Sequence, residues 1–361
     1  MIKGDVKTEA QYRAIVMDSS SSLKEFSLDR KKYHRKYILG EKIEESENQA
    51  ALMGRLVETL LMEPYLFDDK FFMSVCQGAP TGLMLDFVEA LYKHTKEATD
   101  EFGEVNRSFE EISRDAYADS GFKIKYEAVM TKFMGSEAEV FYQEIREVRA
   151  KGLSVVTTKD VTHAERIVEE LRSNPATAHI VNLTNSSRYQ VFNQFQIEGY
   201  DVLGHQFKSM MDKIIVDHER KFITIYDLKC TWNVENFYEE YYLKRRSYIQ
   251  ALLYYAAIYK NTDVLGFDAK DYHVEPPKFI VCDSTNYYNP LIYTLDWEDL
   301  KDARDGFRHK GREYPGVDKI IEDLKWAINN NVWNISRINS INNAVVSIKT
   351  CKVDERKEDN H

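Results

Sequence analysis

Hydrophobic residues along this chain recur with two different periods. Spacings of three and four mark residues 50–62, 136–150, 160–173, 241–259, 297–310 and 317–331 as helices. Short runs rich in β-branched and aromatic residues at 188–198, 207–216, 222–230, 279–282 and 291–295 read as strands. Pro276-Pro277 marks the entry to one strand, and Ser19 to Ser22 reads as a helix N-cap before Leu23. Residues 79–135 begin with Pro80-Thr-Gly82 and continue as charged, weakly amphipathic helix. The last residues, 351–361, are nearly all polar or charged and are expected to be disordered. Helices and strands interleave, so an α/β fold is expected.

The most informative segment is Met210 to Lys229. Two apolar runs flank the polar Asp217-His218-Glu219-Arg220, the pattern of a β-hairpin. A loop centred there pairs 216 with 221, 214 with 223 and 212 with 225. Because side chains alternate faces, Ile225, Asp227 and Lys229 then share one face, and Asp212 stands opposite Ile225 on the same face. Asp212 and Asp227 become diagonal neighbours, roughly 7–8 Å apart at the backbone, and their carboxylates can share one cation. A hard divalent ion takes oxygen ligands, which two carboxylates, a phosphate and water supply. Such an ion acidifies bound water and screens a phosphodiester, while an adjacent ammonium orients the water, stabilises the transition state or acts as a base.

Asp-x-Lys also occurs at Asp5, Asp29, Asp68, Asp268, Asp299 and Asp323. At Asp299 and Asp323 the surroundings are helix-patterned, where residues two apart diverge. Asp227 alone ends an apolar strand whose partner strand carries another acid. In the helix that follows, Gln250 and Tyr254 are four apart and stack on one face. Tyr248, Leu252, Tyr255 and Tyr259 read as packing residues. Lys244, Arg245 and Arg246 form a basic first turn that is either a solvated face or a phosphate contact.

In order and spacing these residues resemble the RecE-type exonucleases, the exonuclease VIII-like branch of the PD-(D/E)xK nuclease superfamily, with lambda exonuclease a more distant relative. The resemblance runs from Gly54-Arg-Leu-Val-Glu58 through Glu63-Pro64, Asp212, Asp227-Leu-Lys229 and Gln250-Ala-Leu-Leu-Tyr254. Ser154 to Ala178 and Asn329 to Asn334 are further similar segments. It implies a PD-(D/E)xK (restriction-endonuclease-like) core with a central mixed β-sheet flanked by helices. The implied organisation is a single nuclease domain over 1–350, with a helical insertion at 79–135. It also implies Mg²⁺ or Mn²⁺ held by Asp212, Asp227, Glu58 and the carbonyl of Leu228. Lys229 then serves catalysis, and Gln250, Tyr254, Arg245 and Arg246 serve the substrate.

The implied activity is exonucleolytic hydrolysis of double-stranded DNA ends, 5′ to 3′, for recombination or repair in a bacterium or phage. A single-strand annealing protein is the implied partner and a homo-oligomeric ring the implied assembly. Three positions depart from the family pattern: Glu58 replaces a histidine, Gln194 replaces an acid, and Cys230 follows Lys229 where threonine is usual. On pattern alone, Glu58 flanks the stripe of Leu52, Met53, Leu56, Val57, Leu60 and Leu61 and reads as exposed. A structure-specific or restriction-like endonuclease on the same fold stays open, as does a non-catalytic DNA-binding protein.

Composition adjusts this picture in two places. A net charge of −10 is unusual for a protein that grips phosphates, so distribution matters more than the sum. Bases concentrate in Arg30 to Lys36, Arg220-Lys221 and Lys244 to Arg246, and acids in Glu41 to Glu47 and Asp100 to Glu111. The four cysteines, Cys76, Cys230, Cys282 and Cys351, are too widely spaced in sequence for an iron–sulfur cluster. His205 and His218 read as surface or supporting residues. No apolar run approaches a membrane span and no signal-peptide pattern is evident, so a cytoplasmic protein without a membrane partner is expected.

Overall fold

Two consecutive hairpins form the centre of the sheet. Strand β1 (Tyr189–Val202) turns through Leu203 and Gly204, both at positive φ, into β2 (His205–Asp217). A two-residue loop with that backbone matches the twist of the strands it joins. The second turn carries β2 into β3 (Phe222–Thr231). Here the Asp217 carboxylate accepts hydrogen bonds from the backbone N–H groups of Glu219 and Arg220, at 3.0 and 3.1 Å. That local capping makes Asp217 the last strand residue, paired with Phe222. The register is therefore Val216 with Ile223 and Ile214 with Ile225, two residues displaced from the pairing expected from sequence. A displacement of two leaves every side chain on its expected face.

The computed structural model describes residues 8–41, 49–76, 78–285, 289–342 and 344–345. It divides into two compact units, Met1–Glu44 with Leu171–His361, and Glu45–Glu170. The 79–135 segment, expected from sequence as an insertion in one nuclease domain, falls within the second unit.

In the first unit, β1 and β2 are antiparallel, β2 and β3 antiparallel, and β3 runs parallel to β5 (Lys278–Asp283), which pairs with antiparallel β6 (Leu291–Thr294). The short β4 (His273–Val274) lies parallel to the start of β3. The sheet is thus mixed, with β3 in its interior. Helices α1 (Ser20–Leu28), α2 (Ser247–Tyr259) and α3 (Val317–Asn330) contribute to the unit's core. Leu23 and Phe26 of α1, Ile249, Leu253 and Ala257 of α2, and Ile320 and Leu324 of α3 join Ile214, Val216, Ile223 and Ile225 there. Ser19 caps α1 in a reciprocal box with Ser22, as its sequence predicts.

The helical run at 241–259 is broken. Tyr238–Lys244 forms a wider π-turn, Arg246 adopts the left-handed conformation (φ 55), and α2 begins at Ser247. The expected helix 297–310 ends at Asp305, because Gly306 at φ 96 turns the chain into a hairpin of Gly306–His309 with Arg312–Pro315. The ring of Trp333, beyond the end of α3, stacks on His34, with centroids 4.7 Å apart.

In the second unit, Gln49–Met62 is helical and buries Leu52, Met53, Leu56, Val57 and Leu61. Strands Phe71–Met73 and Ser154–Val156 pair in parallel. The 79–135 segment forms helices Leu83–Glu97, Phe109–Asp119 and Tyr126–Phe133, which share a core with Glu137–Arg149 through Phe87, Leu91, Ile112, Phe133 and Tyr142. Among the described residues, no helix is long and apolar enough to cross a membrane. The 351–361 tail lies outside the described residues, as do residues 42–47 of the acidic run at Glu41 to Glu47.

Candidate active site

The ladder between β2 and β3 ends at Lys213 and Tyr226. One step further along, the same register sets Asp212 across from Asp227, closer than the diagonal arrangement expected from sequence. The Asp212 side chain replaces the missing ladder contact, because its Oδ2 accepts a hydrogen bond from the backbone N–H of Leu228 at 2.7 Å. This bond fixes the carboxylate at the point where the strands part. On the other side of β2, Asn193 and Phe195 of β1 pair with Lys213 and Met211. Gln194 therefore stands beside Asp212 and holds φ 48, an uncommon conformation for a residue with a Cβ. The position where the family pattern has an acid is thus at the site, occupied by an amide.

Asp227 is the most deeply held member, with 1% of its surface exposed. Its Oδ1 accepts a hydrogen bond from Gln250 Nε2 at 2.7 Å. Its Oδ2 is buried and receives no hydrogen bond of ordinary geometry; the Lys229 ammonium meets it as an ion pair. Lys229 Nζ also lies 3.5 Å from the Leu228 carbonyl oxygen. Asp227 and Lys229 are two apart on β3, so strand alternation alone places them on one face.

Helix α2 braces this pair. Gln250 Nε2 also donates to the Tyr254 hydroxyl at 2.8 Å, and that hydroxyl donates to the Met210 carbonyl at 2.7 Å. Burial, with the negative charges of Asp227 and Asp212, pushes the Tyr254 phenol well above its ordinary range, so it stays protonated and remains a donor. The chain from Met210 through Tyr254 and Gln250 to Asp227 sets the carboxylate's orientation.

The sequence reading missed Lys24. From α1 its Nζ donates to Gln250 Oε1 at 2.8 Å. Burial, then the neighbouring Lys229 charge, pushes its ammonium down to about 7, against the opposing pull of Asp227; Arg245 adds a smaller depression. The available sequence signal was only that Lys24 sits between the buried Leu23 and Phe26 on a capped helix. Nothing local ties it to a helix more than two hundred residues away.

The remaining expected site residues are distributed as follows. Arg245 is exposed, its guanidinium 4.3 Å from the Tyr241 ring centroid. Arg246 instead turns inward and donates to the Ser27 carbonyl at 2.7 Å, tying α2 to the end of α1. Glu58 is half-buried on the Gln49–Met62 helix of the second unit. The basic run at Arg30 to Lys36 is largely matched by acids: Arg30 pairs with Asp323 at 3.1 Å, Lys32 with Glu25 at 3.2 Å and Arg35 with Glu41 at 2.6 Å. His205 bonds Asp18 and His218 bonds the Tyr272 hydroxyl. Cys76, Cys230 and Cys282 are free thiols, and Cys230 and Cys282 are register neighbours on β3 and β5.

No protein-family model matches this chain, and no curated protein is similar to it. Among solved structures, it is similar to a "putative exonuclease" from Eubacterium rectale, at 13% identity and a TM-score of 0.45, over 99% of this chain and 100% of that one. The functional reading rests on the site's own geometry.

That geometry fits a hard divalent cation. Asp227 Oδ2 is a buried carboxylate oxygen that faces the Lys229 ammonium, and the Asp212 carboxylate lies across from it. The Leu228 carbonyl is a third oxygen at the same edge. Among the described residues no three His, Cys, Asp or Glu side chains converge, so two carboxylates and a backbone oxygen are the donors the first unit brings together.

Proposed function

We propose that this protein is a metal-dependent deoxyribonuclease of the PD-(D/E)xK type, with Asp212 and Asp227 as carboxylate ligands, Leu228 O as a backbone ligand and Lys229 as the catalytic lysine. The observation that carries this reading is the placement of the Asp212–Asp227–Lys229 triad. It lies at the parting of two central strands, where the buried Asp227 carboxylate meets Gln250 through one oxygen and the Lys229 ammonium through the other.

Bound Mg²⁺ or Mn²⁺ supplies an acidified water and screens the phosphodiester charge. The protein's own part is orientation and charge. Gln250 and Tyr254 hold Asp227 in one rotamer, so the donor oxygens are set before substrate arrives. Lys229 offers an ammonium to the water or to the phosphoryl oxygens as negative charge builds on them. In the overall step water adds to phosphorus, one P–O ester bond breaks, the departing oxygen takes a proton and the new phosphate gives one up.

The finer reading follows the RecE-type resemblance: an exonuclease that degrades double-stranded DNA from its ends, 5′ to 3′, working with a single-strand annealing protein and assembling as a homo-oligomeric ring. Glu58 is the further ligand that resemblance proposes. Linear and covalently closed duplexes, incubated with Mg²⁺ or with EDTA, test the whole. Cleavage of the linear form alone, abolished by EDTA and by Lys229→Ala or Asp212→Ala, is the expected result. Cleavage of the closed circle assigns an endonuclease, and binding without cleavage assigns a DNA-binding protein. End-labelled duplexes read the direction of degradation.

A further inference from the structure

The first unit buries two lysines and half-buries a third, Lys24, and it treats them differently. Lys208, 7% exposed, directs its ammonium at the carbonyls of Tyr12, Arg13 and Ile15, at 2.9, 3.2 and 2.8 Å. All three of its donors have acceptors. Lys213, 2% exposed, has the Leu183 carbonyl and the Asn193 side-chain oxygen. Among the described residues the Lys24 ammonium has one acceptor, Gln250 Oε1. An ammonium carries three N–H groups, so two remain without a protein acceptor. Because Lys24 is only half-buried, those N–H groups stay open to an incoming acceptor, whereas the ammonium of Lys208 is enclosed by its three carbonyls.

The position of Lys24 supplies the reason. Gln250 receives the Lys24 hydrogen bond on its oxygen and gives one from its nitrogen to Asp227, so Lys24 is one amide away from the proposed metal ligand. Lys229 and Arg245 are near enough to disfavour its charge, which gathers positive potential beside the two carboxylates. The two carboxylates thus face the ammoniums of Lys24 and Lys229 and the Arg245 guanidinium. A phosphodiester would answer this positive potential with an anion and with acceptor oxygens for the unmatched N–H groups.

We propose that Lys24 binds a non-bridging oxygen of the DNA phosphodiester backbone at the active site and orients Gln250 through its remaining bond. This rests on the nuclease reading above. Binding the phosphate supplies the missing acceptors and stabilises the charged form that burial opposes in the DNA-free protein.

The test measures affinity for a fluorescein-labelled duplex oligonucleotide by anisotropy, in EDTA, across a salt series, for wild type, Lys24→Met and Lys24→Gln. Loss of one charge-assisted contact weakens binding roughly tenfold to a hundredfold. It also makes the slope of log affinity against log salt shallower by about 0.9. A lysine serving only the fold would leave the slope unchanged and lower the melting temperature. Wild-type affinity and slope in both variants, with Mg²⁺-dependent cleavage by the wild type intact, overturn the assignment alone. A wild type that neither binds nor cuts the duplex overturns the nuclease reading and this assignment with it.

Discussion

Replacing Tyr254 by phenylalanine deletes one oxygen atom from the chain that orients Asp227. Tyr254 is 5% exposed, and its hydroxyl takes part in two hydrogen bonds, one given to the Met210 carbonyl at 2.7 Å and one received from Gln250 Nε2 at 2.8 Å. At about 0.5–1.5 kcal/mol net for each bond, the loss sums to about 1–3 kcal/mol. For a unit of this size that lowers the melting temperature by about 2–4 °C per kcal/mol. The same substitution frees the Gln250 amide from its anchor on the sheet, so Asp227 loses a fixed orientation. If the whole loss is felt in the transition state, it corresponds to roughly a fivefold to 150-fold drop in rate at about 1.36 kcal/mol per tenfold. Single-turnover cleavage of a duplex under saturating Mg²⁺ measures the rate, and thermal unfolding measures the stability. The expected pattern is a fall in kcat with KM nearly unchanged, because Tyr254 reaches the substrate only through Gln250 and Asp227. The rate should show no break from phenol ionisation near neutrality, since the Tyr254 phenol is held well above its ordinary range. A phenylalanine variant with wild-type kcat would show that Asp227 is oriented without the α2 brace and would remove Gln250 and Tyr254 from the site.

Asp212→Asn keeps an acceptor for the Leu228 N–H but removes a negative ligand; calorimetric titration with Mg²⁺ should show binding weakened at least tenfold, and unchanged binding would detach Asp212 from the metal. Burial pushes Lys213 down to about 8 from 10.5, so its native form resists protonation. Because its folded value lies below its unfolded one, the penalty on the native state is complete below about pH 8 and disappears as pH rises to about 10.5. Lys213→Met should therefore be more stable than wild type at pH 7, by about 1–3 kcal/mol after losing two long hydrogen bonds, with the gain vanishing above pH 10.5. Denaturant melts across that range check the sign, and a loss of stability at pH 7 refutes it. Arg246→Met should cost about 1–2 kcal/mol of stability and leave the salt slope of DNA binding unchanged, whereas Arg245→Ala should reduce that slope by about 0.9.

The face shared by Asp212, Asp227 and Lys229 was legible because it depends only on odd and even positions. The hairpin register is displaced by two from the sequence reading, and parity is indifferent to that displacement. The displacement itself was not legible, since it comes from the Asp217 carboxylate folding back onto the turn. Likewise, the pairing of Gln250 with Tyr254 followed from helical spacing, but the break that starts the helix at Ser247 did not: the periodic apolar run continues through the π-turn and the left-handed Arg246. That break is why Arg246 faces Ser27 instead of continuing a basic first turn. Lys24 was invisible for a different reason. Its partner is set by the packing of α1 beside α2, and no local pattern encodes a contact between elements so far apart in the chain.

The strand parting explains why the site sits where it does. Had β2 and β3 continued in register, Asp212 and Asp227 would be one more cross-strand pair of like charges in a buried sheet, a destabilising arrangement with no compensation. Ending the ladder at Lys213 and Tyr226 lets the Asp212 carboxylate take the Leu228 N–H and leaves room between the two acids. The same region gathers an uncommon backbone conformation at Gln194, a buried Asp227 carboxylate and a Lys24 ammonium with one protein acceptor. Each of these costs stability. A fold selected for packing alone would remove them independently. Their convergence on one edge is what a cation and an anionic substrate together would resolve, the cation by meeting the carboxylates and the phosphate by meeting the ammonium.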